Sequence, residues 1–65
     1  MLKTEAERES IRRWRELPRE QRSTNNQAAA FAASLMDEIV FPTSGDRYNF
    51  IRGWLQRDLQ LRGGL

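Results

Sequence analysis

The sequence predicts an all-α chain, a compact three-helix bundle with helices over about residues 4–17, 24–40 and 45–62. Three observations predict it. Apolar residues recur at helical spacing in three separate segments, and Ser, Thr, Pro and Gly punctuate the joins between them. No segment alternates apolar and polar residues over a useful length, so strands are not expected. Residues 1–65 are read as one helical domain, because 65 residues make one domain at most. At this size a single core leaves little surplus stability, and the chain has no Cys with which to staple itself. Efficient packing or self-association must supply the remainder.

The first segment opens with "TEAE". Thr4 can hold a free amide while Glu7, three residues on, reaches back, which is the spacing of a capping box. Ala6, Ile11, Trp14 and Leu17 then share one side of the helix, while Glu5, Arg8, Glu9, Arg12, Arg15 and Glu16 share the other. Glu5–Arg8, Glu9–Arg13 and Arg12–Glu16 stand three or four residues apart, and each such pair contributes roughly 0.2–0.5 kcal/mol. Within "IRRWRELPREQR", Trp14 stands among Arg12, Arg13, Arg15, Arg19 and Arg22, as in a hand for nucleic acid. Its helical phase places it instead with Ile11 and Leu17, facing a core. Pro18 ends the segment.

In the second segment, "STNNQAAAFAASLMDEIV", Ser23 or Thr24 can cap the helix, Thr24 has Gln27 at capping-box spacing, and five alanines raise helix propensity. Ala28, Phe31, Ala32, Leu35, Met36 and Ile39 form its apolar stripe. Ala29, Ala30 and Ala33 lie on the back with Asn26 and Asp37. In "VFPTSGD", Pro42 bars a helical conformation at Phe41, which is expected to plug the end of the core. Gly45 permits an unusual backbone angle, and Thr43 or Ser44 offers the next cap.

The third segment carries two apolar stripes, Tyr48–Ile51–Leu55–Leu59 and Phe50–Trp54–Leu61, about 90° apart. Together they cover about half the circumference, more than a helix needs to face one neighbour. This helix is expected either to lie in a groove between the other two or to keep a strip for a partner. Gly63, after Arg62, suits a left-handed cap.

The composition bounds the function. There is no His and no Cys, which removes the commonest metal ligands and the usual bases and nucleophiles. "TSGD" has one Gly and no Lys after it, so no phosphate loop is read there. Asp37 and Glu38 point about 100° apart and do not flank one substrate. The expectation is a non-enzyme with no catalytic residue, no metal and no cofactor. No apolar run is long enough to cross a membrane, "MLKTEAERES" has no signal-peptide apolar region, and cytoplasm is the expected compartment.

Two functions fit what is left. The leading expectation is a protein-binding module, an accessory subunit, adaptor or inhibitor of a larger complex, with Phe50, Trp54, Leu61 and Arg57 at its contact and a homodimer among its forms. The alternative is a DNA-binding regulator resembling a helix-turn-helix, whose third helix offers Arg47, Asn49, Arg52 and Gln56, with Gln60 continuing the polar strip. Asn, Arg and Gln are the side chains that make paired hydrogen bonds to base edges. Against it stand a net charge of only +2, the glutamates among the first helix's arginines, and Asp46 and Asp58 beside the strip.

"NNQAAAF", then "FP" and "IRGWLQRDL" resemble the theta subunit of bacterial replicative DNA polymerase through Asn25, Ala29, Ala30, Pro42, Arg52, Trp54 and Leu59. That resemblance implies a small helical accessory protein. It needs a gap between Pro42 and Arg52 and leaves the first segment uncovered, so the family is not assigned on it.

Overall fold

Hydrogen-bond capping decides where each helix starts. The computed structural model describes residues 1–63, with side chains through Leu61. Helix α1 spans Lys3–Arg15. Its N-cap is Leu2 rather than Thr4, because Glu5 Oε1, not Glu7, accepts the Leu2 amide at 3.0 Å. The helix ends at Arg15 rather than residue 17. The Glu16 amide is shared between the Arg12 and Arg13 carbonyls and Leu17 donates to Trp14 O, all at 3.2 Å, a tightening that Pro18 forces on the residues before it. A short 3₁₀ turn over Arg19–Gln21 follows.

Helix α2 spans Asn25–Leu35 and starts as its sequence predicts. Thr24 Oγ1 accepts from the Gln27 amide at 3.1 Å, and Gln27 Oε1 accepts from the Thr24 amide at 3.1 Å and the Ser23 amide at 2.8 Å. It ends near residue 35, not 40. The stripe nevertheless continues, because Ile39 donates to Leu35 O at 2.8 Å through a turn and stays buried. Unwinding there frees the chain to turn Phe41, kept extended by Pro42, into the interior.

Helix α3 spans Arg47–Gly63. Its N-cap is Asp46, whose Oδ1 accepts from the Tyr48 amide at 3.0 Å, so neither Thr43 nor Ser44 serves. Gly63 is helical, and the residues after it lie outside the described part of the chain. No described glycine has positive φ, so the unusual backbone angle expected at Gly45 does not occur. A Cβ there would stand 3.0 Å from Phe50 Cε2, and glycine lets the loop close over that ring.

The three helices form a bundle in which α3 packs against both α2 and α1, the first of the two arrangements its stripes allow. Ile51 and Leu55 are fully buried, with Ala28, Ala32, Leu35 and Ile39 from the second segment and Ala6 and Trp14 from α1. Trp14 is 1% exposed and its ring lies 5.8 Å from that of Phe31, which closes the question raised by its arginine neighbours. Ile11 is the exception on α1. It is half-buried, and Ser10 takes the inward position instead, its hydroxyl donating to Ala6 O at 2.7 Å. The inward row of α1 is therefore Ala6, Ser10 and Trp14, two small residues and one large, and the small ones admit close helix approach. The molecule measures 33 × 19 × 18 Å, and its described residues include no helix long and apolar enough to cross a membrane.

Two substitutions separate cap from core. Thr24→Ala removes the acceptor for the Gln27 amide and should cost about 1 kcal/mol, whereas Leu55→Ala should cost about 2–5 kcal/mol. Thermal unfolding followed by circular dichroism should show a modestly lowered Tm for the first and loss of the cooperative transition for the second. An unchanged Tm in Leu55→Ala would contradict the packing described.

Candidate interaction surface on the third helix

The circumference of α3 divides into an inner half, one apolar flank and one polar outer face. The inner half is taken by the fold. On the flank, Phe50 and Trp54 are half-buried and close an aromatic cluster with Phe41. Ring centroids are 5.3 Å apart for Phe41–Trp54, 6.2 Å for Phe50–Trp54 and 6.3 Å for the edge-on Phe41–Phe50 pair. Lys3 Nζ sits 4.1 Å from the Phe50 ring centroid, a cation over a π face that ties the start of α1 to the start of α3. Leu61 lies on the same flank about two turns beyond Trp54. It is 75% exposed and outside the cluster.

The expected contact set is thus only partly brought together. Phe50 and Trp54 touch each other, Leu61 extends their line, and Arg57 is exposed between flank and outer face with no ion pair among the described residues. Of the residues expected to read DNA, Asn49 is exposed while Arg47 and Gln56 are half-buried. Arg52 lies over the Tyr48 ring, 5.4 Å from guanidinium carbon to centroid, and its buried Nε has no hydrogen-bond partner.

Asp58 is the feature whose placement differs most from expectation. It does not flank the polar strip. It is 6% exposed, and Arg15 of α1 donates to its Oδ1 at 2.6 Å. The hydrogen bond to Asp58 raises the Arg15 pKa above its already high value. The sequence did hold a signal for this. Asp58 falls between the two apolar stripes of α3, and an acid inside an apolar arc requires a cation. The Lys3–Phe50 and Arg15–Asp58 contacts together show α1 and α3 running in the same direction.

Arg12 and Arg13 of α1 are spent on glutamates, whereas Arg8 is exposed with no ion pair among the described residues. Arg12 bonds Glu9 at 2.5 Å and Glu16 at 2.8 Å, and Arg13 bonds Glu9 at 2.7 Å and Glu38 at 3.2 Å. Hydrogen bonds from Arg12 and then Arg13 hold the Glu9 carboxyl down to about 2. A shallow hollow of about 530 Å³ over Ile11 is lined by Arg8, Arg12, Arg15 and Glu16, mostly side chains already paired. No group of three His, Cys, Asp or Glu side chains among the described residues converges as a metal site would require.

Gly53 stands at the centre of the outer face of α3. It is exposed, and nothing lies within 4 Å of where a Cβ would be. Asn49, Gln56, Arg57 and Gln60 surround it at helical spacing, and no described acidic side chain lies within the helical part of this face. Neither Gly53 nor the internal position of Asp58 was singled out by periodicity, which weighs apolar residues and passes over the rest.

Two further outcomes follow. Arg15→Ala strands a buried carboxylate and should lower stability by roughly 1–3 kcal/mol, while Arg12→Ala, on an exposed pair, should fall within about 0.5 kcal/mol of the parent; urea titration of both distinguishes them. Gly53→Ala should raise stability by about 1 kcal/mol, because an exposed helix interior gains from losing glycine and no neighbour obstructs the methyl. Read on protein dilute enough to report the single chain, a lowered Tm would show that the position is constrained within the fold. No known protein family, curated protein or solved structure matches the chain.

Proposed function

We propose that this chain is a small non-enzymatic protein-binding module, an accessory subunit, adaptor or inhibitor, that docks through the Phe50–Trp54–Leu61 flank of α3 with Arg57 at its border. One observation carries the reading. After α1 and α2 have covered the inner half of α3, Leu61 is still 75% exposed in line with two half-buried aromatics. A partner covering that line would complete the burial of Trp54, and Trp and Arg are the side chains that dominate interface energetics. The compartment that goes with this reading is the cytoplasm.

A DNA-binding role through Arg47, Asn49, Arg52 and Gln56 is the second reading. It is favoured by the withdrawal of Asp58 to Arg15, which leaves the outer face of α3 without that acid. The join from residue 36 to residue 46 is longer than the three or four residues usual in a helix-turn-helix.

Leu61→Asp separates the two, since an exposed position tolerates the change in the fold. Affinity capture with the purified chain, read by mass spectrometry, should retain a protein that Leu61→Asp loses and that Asn49→Ala and Arg52→Ala keep. The reverse pattern, with duplex DNA binding that weakens steeply with salt, would move the assignment to DNA.

A further inference from the structure

We infer that the partner is a second copy of this chain, paired through antiparallel α3 helices about a two-fold axis over Gly53. The inference rests on reading the flank of α3 as a protein-binding surface. It starts from a residue the fold does not need. Glycine in an exposed helix interior costs about 0.8–1 kcal/mol relative to alanine, and open space surrounds Gly53 on this side. A bare backbone at the centre of a face allows another helix to approach closely.

The neighbours of Gly53 then decide what that helix is. At about 100° per residue, Arg57 lies about 40° to one side of Gly53, with Phe50 and Trp54 further round on that side and Asn49 about 40° to the other. A two-fold axis perpendicular to both helices sets each edge against its own copy. On the apolar side Phe50, about 60° round from Gly53, faces the second copy, while Trp54, about 100° round, lies at the rim of the contact. The polar edges of Asn49, Gln56 and Gln60 meet likewise on the opposite side, where paired amides hydrogen-bond. Leu61 comes level with the loop that carries Gly45 in the other copy.

Charge supplies the self-complementarity. Arg57 comes level with Asn49 of the second copy and about one turn from its Asp46. Asp46 is exposed, and within its own chain its carboxylate accepts only the Tyr48 amide among the described hydrogen bonds. Arg57 is exposed and has no ion pair among the described residues. On this face of α3 each copy thus offers the Arg57 cation and the Asp46 anion at positions that exchange under the two-fold, giving two Arg57–Asp46 pairs. A partner of one sign, such as a nucleic acid or an acidic peptide, would satisfy Arg57 and oppose Asp46.

The experiment is sedimentation equilibrium of the purified full chain over a wide concentration range, with circular dichroism confirming the fold of each variant. The parent should dimerise reversibly. Gly53→Leu, a substitution that favours the helix, should be folded and monomeric. Arg57→Glu and Asp46→Lys, each alone, should weaken the dimer by about tenfold or more, corresponding to about 1.4 kcal/mol. An equimolar mixture of these two should recover it, since the mixed dimer has opposite charges in both pairs. A parent that remains monomeric throughout overturns the second-copy inference and leaves the flank to its capture test. A dimer indifferent to Gly53→Leu and to the charge reversals overturns the α3 pairing. If, in addition, Leu61→Asp releases nothing on capture, the protein-binding reading falls as well.

Discussion

The whole arrangement depends on covering one helix with two shorter ones. Helix α3 has 17 residues, against 13 in α1 and 11 in α2, and no disulfide or thiolate metal site supports it. Fully burying a side chain such as Ile51, Leu55 or Leu35 contributes about 1.5–3 kcal/mol, while each ordered residue costs about 1–2 kcal/mol of backbone entropy. With so few large buried side chains, close approach matters as much as bulk. Ala6 and Ser10 on α1 and Ala28 and Ala32 on α2 supply it, all fully buried, and Phe41 then fills the end that α2 leaves when it unwinds.

Two contacts fix how α1 lies along α3. At one end Lys3 caps the Phe50 ring, and at the other Arg15 meets Asp58. A leucine at position 58 would bury more apolar surface and would let α1 slide, whereas a buried carboxylate accepts a cation at one register only. The network of Glu9 with Arg12 and Arg13 is different in kind. It is partly exposed, it is mostly local to one helix, and pairs of that sort contribute little to stability.

Much of this was legible because helices announce themselves through period and caps. Thr24 with Gln27, the burial of Trp14, the stripe from Ala28 to Ile39, and the doubled stripe of α3 could all be read from spacing. Where reading failed, two local solutions competed. Thr4–Glu7 and Leu2–Glu5 both place a carboxylate three residues after a cap, and a backbone amide can be served by Glu5 whether or not the cap has a hydroxyl. Ile11 lost its inward place to Ser10 because a serine that bonds its own helix at Ala6 O can be buried without cost to its hydroxyl. Asp58 was misread as a surface acid because its partner is far away in sequence, and only the α1–α3 contact brings Arg15 to it.

That same pairing divides the molecule by charge. On α1, Arg12, Arg13 and Arg15 engage acids of the chain itself, and of its arginines Arg8 alone has no ion pair among the described residues. On α3, Arg52 leans on Tyr48 and Arg57 points to solvent, and the one acid within the helix has been drawn inward. A surface whose ions are mostly matched gains less by meeting another molecule, since most new pairs must first break an old one. A surface with unspent donors, an exposed leucine and a bare stretch of backbone has no such debt. The surface proposed for docking is therefore the one on α3, and the same Arg15–Asp58 contact that places α3 in the fold leaves it free of that acid.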